Sequence, residues 1–372
     1  MSSPARARLT VLHLDTERGW RGGQRQVLWT VQGLSRRGVR AILAARADAP
    51  LAERAMAAGL DVVPIDPRIS EWGPWTVLRL RRLIRSAGVQ IVHAQSGHTM
   101  ALAALAAAGS AAKVIFARRV TSPLRPNRAS LWKYHRADRI IAVCHAAVPG
   151  LVAAGIDPAR VDIIPSGVDL TRRVTPATTD ALAMLGIPAG APLVVMVAAV
   201  TAMKDPLTFV RAVATARATV PAMHALLVGE GPLRPQVESL VRSLGLQQMF
   251  HLSGFRADAD SLMRAADVVA LSSNAQAEGI GGVVIDAISF GKPVAATAAG
   301  GIPEVIEDGI HGLLVPIGDS AALGNAIARL LCDRDLASRL GAAGLARAPE
   351  FSIERTVDRT LGVYERVVGV RS

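Results

Sequence analysis

An acidic residue heads a glycine-rich turn at Glu278-Gly279-Ile280-Gly281-Gly282, and a second carboxylate, Asp286, follows on the same segment. The apolar run at 268–271 reads as a buried parallel strand, and 283–288 reads as the start of a helix. Strand, glycine turn and helix start present unpaired backbone N–H groups and a partial positive charge, which suit a phosphate. The glycines let a ligand come close to the backbone. A phosphate cradle flanked by acids points to sugar-nucleotide chemistry rather than nucleotide storage. Lys204 stands in Thr201-Ala202-Met203-Lys204-Asp205-Pro206, just after the apolar run 193–198, and reads as a functional cation. A second glycine turn, Gly300-Gly301-Ile302-Pro303-Glu304, follows further on.

The elements that must position these residues come in two series. Strands are expected at 9–14, 40–44, 61–65, 90–94, 113–116, 139–143 and 161–164. After the polar, Pro- and Thr-bearing stretch 172–192, the series restarts at 193–198, 224–228, 250–253, 268–271, 293–296 and 312–315. Helical patterns fill the gaps; Val27, Leu28, Val31 and Leu34 share one face, with Gly38 as a stop signal. Alternating strand and helix implies parallel sheets covered on both faces. The expected fold class is therefore α/β, with two Rossmann-like domains facing a cleft. The boundaries are 1–172 for the N-terminal domain, joined by a C-terminal helix at 353–372, and 173–352 for the C-terminal domain.

Length and composition agree. At 372 residues the chain exceeds the size at which one core stops growing. It is 51% hydrophobic and 19% charged, as globular chains are. Its two cysteines, Cys144 and Cys332, give neither a disulfide framework nor a zinc motif, so a reducing cytoplasm is expected. The first fifteen residues are too short and polar for a signal peptide. The alanine-rich run 100–112 is shorter than the ~20 residues that cross a bilayer. The formal charge of +12 suits nucleic acid, an anionic membrane or phosphorylated small molecules. Aromatics are 3% of the chain, which argues against base stacking, so no nucleic-acid partner is expected. A local excess of arginine (Arg79, Arg81, Arg82, Arg85) lies on a segment with Val77, Leu80 and Ile84, read as a solvated face over a core stripe, with contact to anionic lipid as the alternative.

With these motifs in this order, the chain resembles the retaining glycosyltransferases of family 4, which have the B-type fold. The resemblance runs over nearly the whole chain. It is carried by Gly22-Gly23, Ile164-Pro165-Ser166-Gly167-Val168-Asp169, Lys204, Gly229-Glu230-Gly231-Pro232, the segment 278–286 and Gly300-Gly301-Ile302-Pro303-Glu304. It implies that Glu278 binds the donor sugar's hydroxyls and that Asp286 grips the ribose. Lys204 would neutralise the diphosphate leaving group, with Gly22 and Gly23 beside it. Gly279, Ile280, Gly281, Gly282, Gly229 and Glu230 would line the donor site, and Phe255 and Arg256 would face the nucleobase. The last helix would return to the N-terminal domain.

Three departures stand out. Asp286 is one methylene shorter than the family's usual glutamate. Ala199 occupies a position where the family often has arginine. Arg118-Arg119 stand where many relatives have histidine, so one of these arginines is expected in the diphosphate or acceptor role, Arg118 as a catalytic group and Arg119 on the acceptor side with His98.

The implied activity is transfer of a hexosyl group, with retention, from a UDP- or GDP-sugar to a hydroxyl of a lipid-linked or envelope glycan. No cofactor beyond the donor and no metal is expected. Such polysaccharide biosynthesis would take place in the cytoplasm, at the inner face of an anionic membrane. A nucleotide-sugar epimerase of the same fold and a nucleic-acid-binding protein are the alternatives. Gly229-Glu230-Gly231 mimics a dinucleotide fingerprint, but Arg234 replaces its third glycine.

Overall fold

The computed structural model describes residues 9–66, 68, 73–124, 127–174, 179–274 and 278–369. The chain divides into two compact units. The first comprises 1–119, 123–167 and 353–372, and the second 120–122 and 168–352.

The first unit is built on β1 (Thr10–Asp15), β2 (Arg40–Arg46), β3 (Asp61–Ile65), β4 (Ile91–Ala94), β5 (Lys113–Arg118), β6 (Arg139–Ala142) and β7 (Val161–Ile163). They form one parallel sheet in the order β3-β2-β1-β4-β5-β6-β7. Alternate residues of each strand enter opposite layers. Leu12 and Leu14 pack with Leu80, Ile84, Met100 and Tyr134 on one face. On the other, Val11 packs with Val27, Val31, Leu34, Val357 and Tyr364. The last helix, Ile353–Val368, thus completes the core of the first unit although it follows the second in sequence. Its seat depends on a glycine: a Cβ on Gly33, in the helix Gly22–Arg36, would stand 2.5 Å from Val357 Cγ2.

A buried polar cluster lies at the end of β1 and β4. His93 Nδ1 and Tyr364 Oη share a hydrogen bond of 2.5 Å, and Gln95 Nε2 lies 2.9 Å from His13 Nδ1. Burial, reinforced by Arg119, lowers the His13 pKa to about 3, and burial with His13 and Arg119 nearby depresses His93 as well. Both imidazoles are therefore neutral parts of the core.

The second unit holds β8 (Leu193–Val197), β9 (His224–Val228), β10 (Phe250–Gly254), β11 (Val268–Leu271), β12 (Val294–Thr297) and β13 (Leu313–Val315) in the parallel order β10-β9-β8-β11-β12-β13. On one face Gly324 lets the helix Ser320–Cys332 approach the helix Pro206–Arg217; a Cβ there would meet Ala212 O at 2.5 Å. The stretch 168–192 belongs to this unit. Val168 N donates to Phe351 O at 2.8 Å, and Arg172 pairs with two carboxylates described below.

The arginine-bearing segment is the helix Pro74–Ser86, with Thr76, Leu80 and Ile84 buried. Its outer face carries Trp75, Leu78, Arg79, Arg82 and Arg85. Among the described residues no helix is long and apolar enough to cross a membrane.

Candidate active site

The second sheet reverses its winding between β8 and β11, which are hydrogen-bonded neighbours. In an open parallel sheet the loops part at such a point, leaving a crevice outside the carboxyl ends of the strands. Lys204 follows β8 and Glu278 follows β11, so topology brings the two candidate residues to this crevice.

Local chemistry fixes them there. Lys204 ends a short 3-10 turn, and Asp205 next to it adopts φ 42°, a left-handed conformation that Asp tolerates better than most residues. The Asp205 carboxylate accepts hydrogen bonds from Thr208 N (3.2 Å) and Thr208 Oγ1 (2.7 Å), capping the helix that follows. The loop after β11 clamps this turn: Ser272 Oγ donates to the carbonyls of Lys204 (3.0 Å) and Asp205 (2.8 Å), and Asn274 Nδ2 donates to that of Ala202 (2.7 Å).

Within that frame Lys204 Nζ donates to Glu278 Oε2, and Ser273 Oγ donates to the same oxygen at 2.5 Å. Glu278 is 5% exposed, so the ion pair lies largely out of water. The second glycine turn backs it. A Cβ on Gly300 would stand 2.2 Å from Glu278 O, and Gly301 N donates to Gly279 O at 2.6 Å. Gly281, at φ 67°, turns the chain into the helix Gly282–Ser289.

Asp286 lies in that helix, 2% exposed. Its Oδ1 accepts a 2.8 Å bond from Arg172 Nη1, while Arg172 Nε donates to Asp260 Oδ2 at 2.8 Å. Arg264 Nη1 holds the Arg172 carbonyl at 2.8 Å, and both guanidinium groups stand over the Phe290 ring. Burial works against the charge on Arg172, but the two aspartates outweigh it and raise its pKa. Sequence reasoning missed Arg172 and Ser273. Arg172 has no local signal, because its partners lie 88 and 114 positions away. Ser273 had one: it is a small polar residue at the carboxyl end of a strand, within reach of the motif acid.

The other expected donor residues spread along the same edge. Gly229 and Glu230 follow β9, and Phe255 follows β10. Gly229 has a packing reason to be glycine, since a Cβ would meet Ala198 O at 1.9 Å. Glu230 pairs with Arg234 at 2.9 Å, Phe255 is exposed, and Arg256 is bound to Asp258 at 2.7 and 2.8 Å.

In the first unit, Gly22 and Gly23 open the helix Gly22–Arg36, and a Cβ on either would meet nothing within 4 Å, so packing does not require them. The two arginines diverge. Arg118 is buried, with Nη1 bonded to Tyr134 Oη at 3.0 Å. Arg119 grips Gln95, donating to its backbone carbonyl and its side-chain oxygen, both at 2.6 Å. His98 precedes the helix Thr99–Ala107 with its Nε2 3.7 Å from Glu17 Oε1.

The sequence contains two Asp-x-Asp triplets. In Asp258-Ala259-Asp260 the acids are taken by Arg256 and Arg172, and in Asp333-Arg334-Asp335 the first caps a helix through Leu336 N. Among the described residues no three His, Cys, Asp or Glu side chains cluster as metal ligands do.

Two family models match in tandem. Residues 20–172 match "Glycosyltransferase Family 4" and residues 179–347 match "Glycosyl transferases group 1". The chain belongs to glycosyltransferase family 4. Curated relatives of this chain include D-inositol 3-phosphate glycosyltransferases. That of Thermobifida fusca is 31% identical over 61% of this chain and 55% of its own length, and that of Kineococcus radiotolerans 34% over 63% and 59%. The chain thus spans little more than half the length of these relatives. Among solved structures, Anabaena HepE in complex with UDP superposes with a TM-score of 0.83 at 22% identity, over 96% of this chain and 100% of HepE. That likeness is one of fold: two parallel-sheet α/β domains, as the strand pattern had implied, of the B type, as the resemblance had implied.

Proposed function

We propose that this member of family 4 moves a sugar from a nucleoside diphosphate to an acceptor hydroxyl, and that the second unit binds the donor. The observation that carries this reading is the buried Lys204–Glu278 pair at the winding reversal of the second sheet. Breaking the anomeric bond of the donor leaves negative charge on a diphosphate, so catalysis rests on groups placed to receive that charge. Lys204 is such a group, and the start of the helix Gly282–Ser289 is another. When Lys204 turns to the diphosphate, the Glu278 carboxylate is freed to accept hydrogen bonds from sugar hydroxyls. UDP is the favoured nucleotide, because the HepE structures contain UDP and UDP-glucose.

The transfer is read as retaining, with attack from the face the leaving group departs. The acceptor oxygen bonds to the anomeric carbon as the carbon–oxygen bond to the diphosphate breaks. The diphosphate leaves with the bonding electrons and takes the acceptor's proton. Lys204 and the helix start supply the positive charge, so no divalent ion is required. The acceptor expected from sequence is a lipid-linked or envelope glycan. A small phosphorylated cyclitol is the second reading, favoured by the names of the curated relatives.

Turnover of UDP-sugars tests the assignment. Release of UDP that depends on an added hydroxyl acceptor, persists in EDTA and falls about 100-fold or more in Lys204→Ala and Glu278→Gln is expected, by analogy with loss of one charge-stabilising donor. Conversion of the donor's sugar without any acceptor would favour the epimerase instead, and loss of turnover in EDTA would overturn metal independence.

A further inference from the structure

Two adjacent serines just past β11 hold the two partners of the buried ion pair in different ways. Ser272 Oγ bonds to backbone, the carbonyls of Lys204 and Asp205 at 3.0 and 2.8 Å. It fixes the turn and leaves the Lys204 ammonium free to swing on its own stem. Ser273 Oγ reaches a side chain instead, Glu278 Oε2 at 2.5 Å. Ser273 is fully buried, and its carbonyl accepts from Thr297 Oγ1 at 2.6 Å. Thr297 closes β12 and is fully buried too. The hydroxyl on Glu278 is therefore anchored at the ends of two paired strands, β11 and β12.

Lys204 and Ser273 share one carboxylate oxygen, Oε2, whereas Oε1 makes no hydrogen bond among the described residues. An ammonium that turns to the diphosphate takes its bond with it. A carboxylate left with no partner in the protein has to be ordered by the sugar itself, at the expense of affinity. Ser273 keeps one charge-assisted bond on Oε2 and leaves Oε1 for the sugar.

We propose that Ser273 is a positioning residue for the donor sugar: its hydroxyl holds the Glu278 carboxylate in place once Lys204 has turned away, so that Oε1 accepts from a sugar hydroxyl. This role rests on the donor reading above and adds to it a residue that acts on the sugar and not on the nucleotide.

Calorimetric titration of the full chain with UDP, UDP-glucose and UDP-N-acetylglucosamine tests this role. Ser273→Ala should weaken binding of the nucleotide sugar that the wild type takes by about tenfold or more, the usual scale for a hydrogen bond to a charged group. UDP affinity should stay unchanged, which also reports an intact fold. In Glu278→Ala, where the carboxylate is already gone, adding Ser273→Ala should cost no further affinity, because residues that act as a unit are non-additive. Wild-type affinity for the nucleotide sugar in Ser273→Ala would overturn the proposal. So would equal losses of UDP and nucleotide sugar, or additive losses in the double variant, each of which marks a structural role. A wild-type chain that binds neither UDP nor its sugars would sink the donor reading and this role with it, whereas the preceding outcomes sink this role alone.

Discussion

At the scale of single residues, the candidate site is a set of charges whose partners are fixed before any ligand arrives. Lys204 and Glu278 were legible because each stands in a local pattern, a cation after a strand and an acid before a glycine turn. Arg172 was not legible. It sits in a stretch that reads as a polar linker, and its importance comes from tertiary contact with Asp260 and Asp286. Its removal would take a cation away from a carboxylate only 2% exposed. Breaking a buried ion pair from one side costs about 3–5 kcal/mol; because Asp260 is half-buried, a value near the lower end, about 3 kcal/mol, is expected for Arg172→Ala. Arg172→Lys should recover part of it, since a single ammonium cannot span both aspartates. Denaturant unfolding of the two variants checks this, and a shift under about 0.5 kcal/mol in Arg172→Ala would refute the account of the triad.

At the scale of elements, all thirteen expected strands are present, three with the expected bounds and the others with ends displaced by one or two residues. The reason is physical: the inner strands are buried on both faces and so read as apolar runs, while the edge strands β3, β7 and β10 are only partly buried. What the runs could not disclose is the spacing between helices, which depends on single glycines. Gly33 reads in sequence as an ordinary helical residue. Its role appears only when the last helix is seen to lie over it, with Val357 where a Cβ would be. Gly33→Ala should therefore destabilise the first unit by about 1–3 kcal/mol, the usual cost of overpacking. Adding Val357→Ala should return part of that loss, because the same space is then vacated. Thermal unfolding of the single and double variants reads this coupling, and strictly additive losses would contradict it.

At the scale of the whole molecule, each parallel sheet gathers polar side chains at its carboxyl edge, the second a largely buried Lys–Glu pair and the first a polar, arginine-bearing cavity. The fold class was readable from the alternation of strand and helix. The charge of +12 was readable too, but not where it would gather: Arg18 and Arg21 after β1 meet Arg46 at the end of β2 only through the pairing of those strands. The central claim is that the second unit binds a nucleotide through Lys204 and Glu278. Thermal unfolding of the full chain with UDP, GDP and ADP tests it most directly, because a ligand at 100 times its Kd adds about 2.7 kcal/mol. The account predicts a raised midpoint with UDP that EDTA does not change and that Lys204→Ala abolishes. An unchanged midpoint with all three nucleotides, or an equal rise in Lys204→Ala, would contradict it.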